Sequence, residues 1–236
     1  PKLADLAQGK KVKIAVWTTT PWTLPANLAL AVGSDIEYSL VELSGEVIIV
    51  ASNLVSKYKK ELHLEDDAEI SLTIKGEDFI GSKYKPLFPY FSTNENYDLA
   101  KAFAVYNADF VTTEDGTGIV HIAPGFGEDD QSLCKQVGIP TLCPVDAAGC
   151  FTAEITAYKG LQVFDANIPI IKDLKVSGNW LKTEQYLHNY PHCWRTDTPL
   201  IYKAVPSWYV QVSAFKDRMV ALNKEINWIP EHIKDG

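Results

Sequence analysis

The chain has 236 residues, of which 46% are hydrophobic and 22% charged, and it carries a net charge of −8 at pH 7. These values are typical of a globular protein that can bury a substantial core, and no stretch approaches the roughly 18 apolar residues of a membrane span. The acidic balance argues against a protein that grips nucleic acid mainly through phosphates, because that affinity comes from many Lys and Arg contacts.

The sequence begins with Pro1 and has no charged-then-apolar leader, so we expect a segment of a longer, cytoplasmic protein. Its four cysteines form no C-x-x-C pair, and the adjacent His192 and Cys193 are poorly placed to bind one ion together. We therefore predict free thiols, no metal site and no cofactor.

The N-terminal part of the chain contains the clearest strand signals. Alternation and β-branched residues predict a strand over 11–17, whereas the apolar residues 24–32 fit either a short helix or a packed loop. Residues 38–51 predict a β-hairpin with Ser44 and Gly45 at its turn.

Further elements follow in the middle of the chain. Apolar residues at helical spacing predict an amphipathic helix over 53–62. Alternating residues predict strands over 68–76, 103–113 and 118–124.

The last elements begin with a helix that starts near residue 127 and ends at Gly138, because acidic residues precede an apolar periodicity and glycine stops it. Beyond about residue 140, Gly, Pro and Asp punctuate what we interpret as short strands. Residues 199–213 are strand-rich, and residues 213–226 predict a helix.

Many short strands with few helices predict an α+β fold with a β-barrel-like core and several peripheral helices. We assign this core to residues 1–210. Residues 211–236 form a separate C-terminal segment. The absence of regular βαβ alternation argues against a doubly wound nucleotide-binding fold.

One unusual stretch is VWTTTPWTLP, residues 16–25, which places four threonines and two tryptophans around Pro21 and Pro25. Hydroxyls donate or accept hydrogen bonds without adding charge, and prolines restrict the turn that presents them. Such a cluster is most often structural, but it also suits a small polar pocket.

A second unusual stretch is DGTGIVHIAPGFGEDD, residues 115–130. Its four glycines permit close approach of a ligand to the backbone, and Asp129 and Asp130 lie where a carboxylate can cap a helix or bind a cation. The plainer alternatives are a half-buried structural His121 and an ordinary helix start. No complete phosphate-loop or G-x-S-x-G motif is present.

Taken together, WTTTPWTLPANLAL and GTGIVHIAPGFGEDD resemble the editing domain of isoleucyl-tRNA synthetases, an insertion called the connective polypeptide. PHCWRTDTPLIYKAVPSWYVQVS and NWIPEHIKDG resemble the segment where that insertion returns to the synthetase core. The resemblance covers nearly the whole chain and is weakest over residues 50–100. Valyl and leucyl enzymes carry a TTRP-type sequence, so Thr20 favours the isoleucyl enzyme.

The resemblance implies hydrolysis of mischarged Val-tRNA(Ile) without a covalent intermediate, and rejection of Ile-tRNA(Ile) by size. It implies that Asp130 binds the α-ammonium group of the amino acid and that His121 lines the side-chain space. The implied catalytic residues are Thr18, Thr19, Thr20, His121 and Asp130, and the implied substrate-binding residues are Trp22, Thr23, Asn27, Gly118 and Asp129.

Two residues depart from the family pattern. Phe126 stands where some relatives have a histidine, so no role for a second histidine transfers. Thr196 stands where some relatives complete a C-x-x-C pair with Cys193, which agrees with the prediction of no metal.

The expected partners are the 3′ CCA end of tRNA(Ile) carrying valine and the remainder of the synthetase, with no membrane. Five basic residues either form a local path for the strand or lie on a solvated face: Lys83, Lys85, Lys101, Arg195 and Lys203. Two alternatives stay open. One is a valyl- or leucyl-type editing domain, and the other is a non-catalytic module that binds a sugar or peptide, which six tryptophans and 11% aromatic residues permit. The editing hypothesis requires the two unusual stretches to meet at one cavity.

Overall fold

The computed structural model describes residues 7, 9–43, 45–62, 64, 72–185 and 189–235. Within these residues the chain forms seven strands in two sheets, with three α-helices and six short 3-10 helices. The strands are β1 (Lys11–Ile14), β2 (Ala29–Val32), β3 (Glu37–Leu43), β4 (Glu46–Ala51), β5 (Leu72–Lys75), β6 (Ala104–Asn107) and β7 (Val120–Ile122). The predicted α+β class is confirmed.

A four-stranded sheet contains the predicted hairpin and has the order β1-β4-β3-β5. Strand β4 pairs antiparallel with β3 and parallel with β1. The directly opposed Leu40 and Ile49 are almost fully buried, so the hairpin is held by the core as well as by its backbone ladder. Ser44 of the predicted turn lies outside the described residues.

A three-stranded sheet has the order β6-β2-β7, with β2 parallel to β6 and antiparallel to β7. All four residues of β2 are buried. A central strand that packs on both faces reads as a continuous apolar run, which is why residues 24–32 show no alternation. The structure places there the end of a 3-10 helix, Pro21–Ala26, and then β2.

The two sheets are linked by one isolated bridge, between Trp17 after β1 and Val120 of β7. The N–H of Ala51 adds a hydrogen bond of 3.0 Å to the carbonyl of Thr117. Among the described strands no closed barrel is found, so the barrel-like wording of the prediction is not confirmed. After Trp17 the chain enters the threonine-rich stretch and the 3-10 helix Pro21–Ala26, so it provides no further strand residues there to extend the bridge into a ladder.

The α-helices are α1 (Glu128–Val137), α2 (Val163–Val176) and α3 (Lys216–Glu225). Helix α1 confirms the predicted helix, and Gly138 ends it with a φ of 80°, a left-handed conformation that glycine adopts without a Cβ clash. Helix α3 confirms the helix predicted over 213–226.

Two predicted elements are wrong in type. The helix expected over 53–62 is a 3-10 helix over Ser52–Tyr58, whose buried Leu54, Val55 and Tyr58 suit a period of three as well as one of 3.6. The strand-rich stretch expected over 199–213 contains no strand in the part of the chain that is described.

Helix α2 replaces the short strands that were expected after residue 140. Its residues Val163, Ala166, Ile170 and Leu174 form a buried stripe at helical spacing. The sequence hides this helix because Pro169 lies inside it, and proline usually marks the end of a helix.

Backbone contacts divide the chain into two compact units, Pro1–Ala204 and Val205–Gly236. The second unit contains α3 and the 3-10 helices Val212–Ala214 and Glu231–Asp235. The boundary predicted at residue 210 stays a prediction. Across the described residues, no helix is both long and apolar enough to cross a bilayer.

Candidate functional site

Two distant stretches of the first unit line a single cleft with a cavity volume of about 360 Å³. We call residues 18–23 the threonine turn and residues 115–130 the acidic segment. The predicted site residues that line the cleft are Thr18, Thr19, Thr20, Thr23, Gly118, His121 and Asp130. The two unusual stretches of the sequence therefore meet, as the editing hypothesis requires.

The threonine turn holds its hydroxyl groups in a connected series. The hydroxyl oxygen of Thr20 lies 3.4 Å from that of Thr18 and 3.4 Å from that of Thr23. Thr18 Oγ1 accepts the backbone N–H of Thr20 at 3.1 Å, and the Thr23 hydroxyl donates to the Thr20 carbonyl at 2.8 Å. These bonds fix three of the hydroxyls, whereas Thr19 is exposed at the cleft.

Side-chain amide groups form hydrogen bonds at both ends of the 3-10 helix Pro21–Ala26. The N–H of Trp22 donates to Asn167 Oδ1 of α2 at 2.9 Å. Asn27 Nδ2 donates to the carbonyl of Ala29 at 2.9 Å, and Asn27 Oδ1 accepts the hydroxyl of Tyr84. Trp22 and Asn27 are buried behind the cleft and do not line it. These hydrogen bonds hold the 3-10 helix in place, and the predicted role of Trp22 and Asn27 in substrate binding stays a prediction.

Asp130 lies in the first turn of α1, where Oδ2 accepts the N–H of Ala123 at 2.7 Å. Burial raises the pKa of Asp130 to about 6, partly offset by backbone N–H groups and reinforced by the charge of Asp129. No Lys or Arg forms an ion pair with Asp130 among the described residues. Its carboxylate is therefore suited to a cationic group of a ligand.

Two glycines leave room around this carboxylate and the cleft wall. A Cβ at Gly127 would come within 2.7 Å of an oxygen of Asp130, so glycine at the start of α1 lets the carboxylate take its position. Gly118 has a φ of +73°, and a Cβ there would lie 2.5 Å from Ala51 Cβ. Both positions therefore disfavour any side chain.

Asp129 differs from its neighbour Asp130. It is exposed and does not line the cleft. Helix geometry explains this difference, because consecutive residues of a helix point about 100° apart.

His121 is buried, with 8% of its surface exposed, and its Nε2 lies 3.1 Å from Thr23 Oγ1. Because the single hydroxyl proton of Thr23 points to the Thr20 carbonyl, Thr23 Oγ1 must accept from His121, which assigns the proton to Nε2. Nδ1 is then unprotonated and has no hydrogen-bond partner within the described residues. Burial lowers the pKa of His121 to about 4, so the ring is neutral at physiological pH.

The sequence did not single out several other lining residues. Asp115 and Thr117 belong to the acidic segment but were given no role, and Phe110 and Thr112 lie near the end of the strand predicted over 103–113. Phe126, the departure from the family pattern, also lines the cleft and packs edge-on against Trp22 with ring centroids 4.8 Å apart. A spacing rule could not have found these residues, because loops bring them to the cleft.

Two of the five basic residues considered for a strand path make internal bonds. Lys83 Nζ donates to the carbonyls of Ala100 and Ala102 at 2.8 Å each. Lys203 Nζ donates to the carbonyls of Val145 and Asp146. These contacts give both ammonium groups a structural role in the first unit.

The four cysteines are free. In the described part of the chain, no group of three His, Cys, Asp or Glu side chains is arranged to hold a metal ion.

Comparison with curated proteins finds close relatives. The isoleucine–tRNA ligase of Rickettsia canadensis (strain McKiel) is 62% identical over 227 residues, which cover 96% of this chain and 20% of the relative. The isoleucine–tRNA ligase of Rickettsia bellii (strain OSU 85-389) is 61% identical over 234 residues, which cover 99% of this chain and 21% of the relative. The chain thus spans about a fifth of the length of the curated relatives it matches. No family model matches it.

Solved structures share the fold at low sequence identity. GlLeuRS-CP1 superimposes with a TM-score of 0.56 at 17% identity, over 79% of this chain and 89% of its own. The editing domain of the cytosolic leucyl-tRNA synthetase of P. knowlesi superimposes with a TM-score of 0.53 at 11% identity, over 85% of this chain and 87% of its own.

Proposed function

We propose that this chain, which is homologous over nearly its whole length to a segment of isoleucine–tRNA ligases, hydrolyses the ester of valine mischarged to tRNA(Ile) and spares the isoleucyl ester. The homology confirms the resemblance predicted from the sequence. One observation carries the proposal: the hydroxyls of the threonine turn and the carboxylate of Asp130 line the same cleft.

The need for a second site follows from the small difference between the two amino acids. Valine lacks one methylene of isoleucine and cannot be excluded by size from an isoleucine pocket. The isoleucyl enzyme is the standard example of double-sieve editing, in which that methylene is worth only about 1–3 kcal/mol. A hydrolytic cleft that admits valine and rejects isoleucine selects by size in the opposite way, because there the larger side chain is the one excluded.

Asp130 would bind the free α-ammonium group that every aminoacyl ester carries. A carboxylate pairs with ammonium through a charge-assisted hydrogen bond. The bond that Asp130 Oδ2 accepts from Ala123 fixes the orientation of the carboxylate before a ligand arrives. Ammonium binding would also lower the pKa of Asp130 from about 6, because an opposite charge favours the ionised form.

The reaction itself requires little from the protein beyond placement. A water oxygen bonds to the ester carbonyl carbon and the bond from that carbon to the ribose oxygen breaks. One proton of the water goes to the ribose oxygen, the other is released to solvent, and valine leaves as its carboxylate. No enzyme nucleophile is needed when water and ester are held together. The hydroxyls of Thr18, Thr19 and Thr20 would contact the terminal adenosine, the ester and the water.

His121 would form the wall that excludes the larger side chain. Its ring is buried, neutral and tied to Thr23. A neutral ring in a fixed position suits a steric limit better than a proton-transfer group, since a pKa of about 4 makes the imidazole a weak base at pH 7.

The proposed macromolecular partner is the single-stranded 3′ end of tRNA(Ile). A net charge of −8 is poorly suited to holding the body of a tRNA. The remaining four-fifths of the ligase would supply that grip, while this chain receives the aminoacylated end.

The test is deacylation of Val-tRNA(Ile) and Ile-tRNA(Ile) by the wild-type chain, Asp130→Ala and the matched control Asp129→Ala. We expect the wild type and the control to hydrolyse the valyl ester and spare the isoleucyl ester, and Asp130→Ala to lose most activity. Equal valyl-ester hydrolysis by Asp130→Ala and wild type would refute the assigned ammonium site. Faster hydrolysis of a threonyl ester than of a valyl ester would instead support the alternative of a valyl-type editing domain.

A further inference from the structure

We infer that Asn167 is a positioning residue for the threonine turn. It accepts the backbone N–H of Trp22 and does not itself line the cleft, so it affects the reaction through the position of the turn. The inference rests on the proposed function for its kinetic consequence, but its structural content is independent of it. Asn167 lies 145 positions from Trp22 in the sequence, and nothing in the local pattern of either stretch connects them.

The backbone of the turn creates the need for an external acceptor. A 3-10 helix leaves its first N–H groups without partners inside the helix. In Pro21–Ala26 the first residue is proline and has no N–H, while the N–H of Thr23 donates to the Thr20 carbonyl at 3.0 Å. The N–H of Trp22 is therefore the group that must find an acceptor elsewhere.

Burial makes that requirement strict. Trp22 is 3% exposed, so water cannot easily replace a missing acceptor, and an unpaired buried N–H is costly. Thr20, at the N-cap position, provides no side-chain cap. Asn167 Oδ1 supplies the acceptor at 2.9 Å.

Helix α2 holds Asn167 where it is needed. The neighbouring Ala166 is fully buried, as are Val163 and Ile170 on the same stripe. Gln162 caps the helix by accepting the N–H of Phe164 at 2.7 Å. The helix shares a hydrophobic core with Trp22, and the hydrogen bond from Asn167 adds a directional contact to the backbone of the turn.

The consequence concerns placement of the hydroxyls. Trp22 directly precedes Thr23, which holds His121, and follows Thr20 by two residues. A shift of the Trp22 backbone would move the hydroxyls of Thr20 and Thr23 together with the ring of His121. Misplacement of this kind can cost about 100-fold in rate even when no reacting group is altered.

The experiment compares Asn167→Ala with Asn167→Asp, which keeps an acceptor oxygen, and with Lys172→Ala, an exposed control on the same helix. Amide hydrogen exchange at Trp22 is the first readout. We expect exchange to rise about tenfold in Asn167→Ala, to return toward wild type in Asn167→Asp and to be unchanged in Lys172→Ala. Should Asn167→Ala not fold, Asn167→Leu fills the space without an acceptor and takes its place.

The second readout is steady-state deacylation of Val-tRNA(Ile). We expect kcat to fall about tenfold or more in Asn167→Ala while KM changes less than about threefold, with recovery in Asn167→Asp. Unchanged Trp22 exchange in Asn167→Ala, or no recovery in Asn167→Asp, would overturn the inference. If the wild-type chain does not hydrolyse Val-tRNA(Ile), the proposed function fails, and the exchange measurement still decides the role of Asn167.

Discussion

The two sides of the cleft are built from different chemistry. The threonine turn presents uncharged hydroxyls, which a 3-10 helix and hydrogen bonds to neighbouring groups hold in place. The acidic segment presents one half-buried carboxylate at the start of α1, whose pKa is raised to about 6 by burial. We call the side formed by the threonine turn the neutral side. His121 belongs to the acidic segment by sequence, but its hydrogen bond to Thr23 makes it part of the neutral side.

The difference in charge between the two sides suits them to two separate tasks, discrimination by shape and recognition of a charged group. A neutral side can discriminate by shape, since its contacts depend on the positions of atoms and little on pH. Under the proposed function, the carboxylate would bind the α-ammonium group that valyl and isoleucyl esters share, so it could not distinguish them. Selectivity should therefore follow changes on the neutral side, whereas overall activity should follow Asp130.

The largest expected effect is the loss of ammonium recognition in Asp130→Asn. The wild type should prefer the valyl ester over the ester of α-hydroxyisovaleric acid, which has a hydroxyl in place of the ammonium. Removing one partner of a buried charge pair costs about 2–5 kcal/mol, so Asp130→Asn should lose a preference of roughly 30-fold or more. Comparing kcat/KM for the two esters tests this, with Asp129→Asn as control, and a retained preference would contradict the charge assignment.

The next effect in size concerns selectivity. His121→Ala should open the side-chain space and make Ile-tRNA(Ile) a substrate, because a methylene-sized discrimination of about 1–3 kcal/mol would disappear. The ratio of valyl to isoleucyl deacylation rates is the measurement. An unchanged ratio would remove His121 from the size test and leave the neutral side without its proposed wall.

A smaller effect is the pH dependence of the wild type. Ammonium binding needs the ionised carboxylate, so with a pKa of about 6 the valyl activity should fall about tenfold between pH 7 and pH 5. A pH profile of kcat/KM measures this, and Asp130→Asn should lack the step. A wild-type profile that stays flat through pH 6 would argue against the raised pKa.

The same shift predicts the sign of a stability change. Because the folded pKa of Asp130 lies above the unfolded value of about 4, the folded state holds the proton more tightly. The contribution of Asp130 to the free energy of unfolding should therefore fall as pH rises from about 4 to about 6. Comparing the free energies of unfolding of wild type and Asp130→Asn in urea across this pH range isolates the contribution of Asp130.

Local signals in the sequence predicted the hairpin of β3 and β4 and the helix ended by Gly138, because each depends on residues close in sequence. They missed α2, where Pro169 lies in a helix that packing nevertheless stabilises. The meeting of the threonine turn with the acidic segment was expected only from the family resemblance, since no periodicity connects stretches about a hundred residues apart. Asn167 was missed for the same reason.

The smallest expected effect tests the hydrogen bond between Thr23 of the threonine turn and His121 of the acidic segment. Thr23→Val keeps the shape but removes the acceptor, so the N–H at Nε2 of a buried ring loses its partner and the ring gains freedom to move. The valyl-to-isoleucyl rate ratio should fall by about two- to fivefold, which corresponds to the roughly 0.5–1 kcal/mol of one net hydrogen bond. Thr23→Ser keeps the hydroxyl and should retain the ratio. Equal ratios in the valine and serine variants would mean that packing alone holds His121, and the hydroxyl series would then have no part in selectivity.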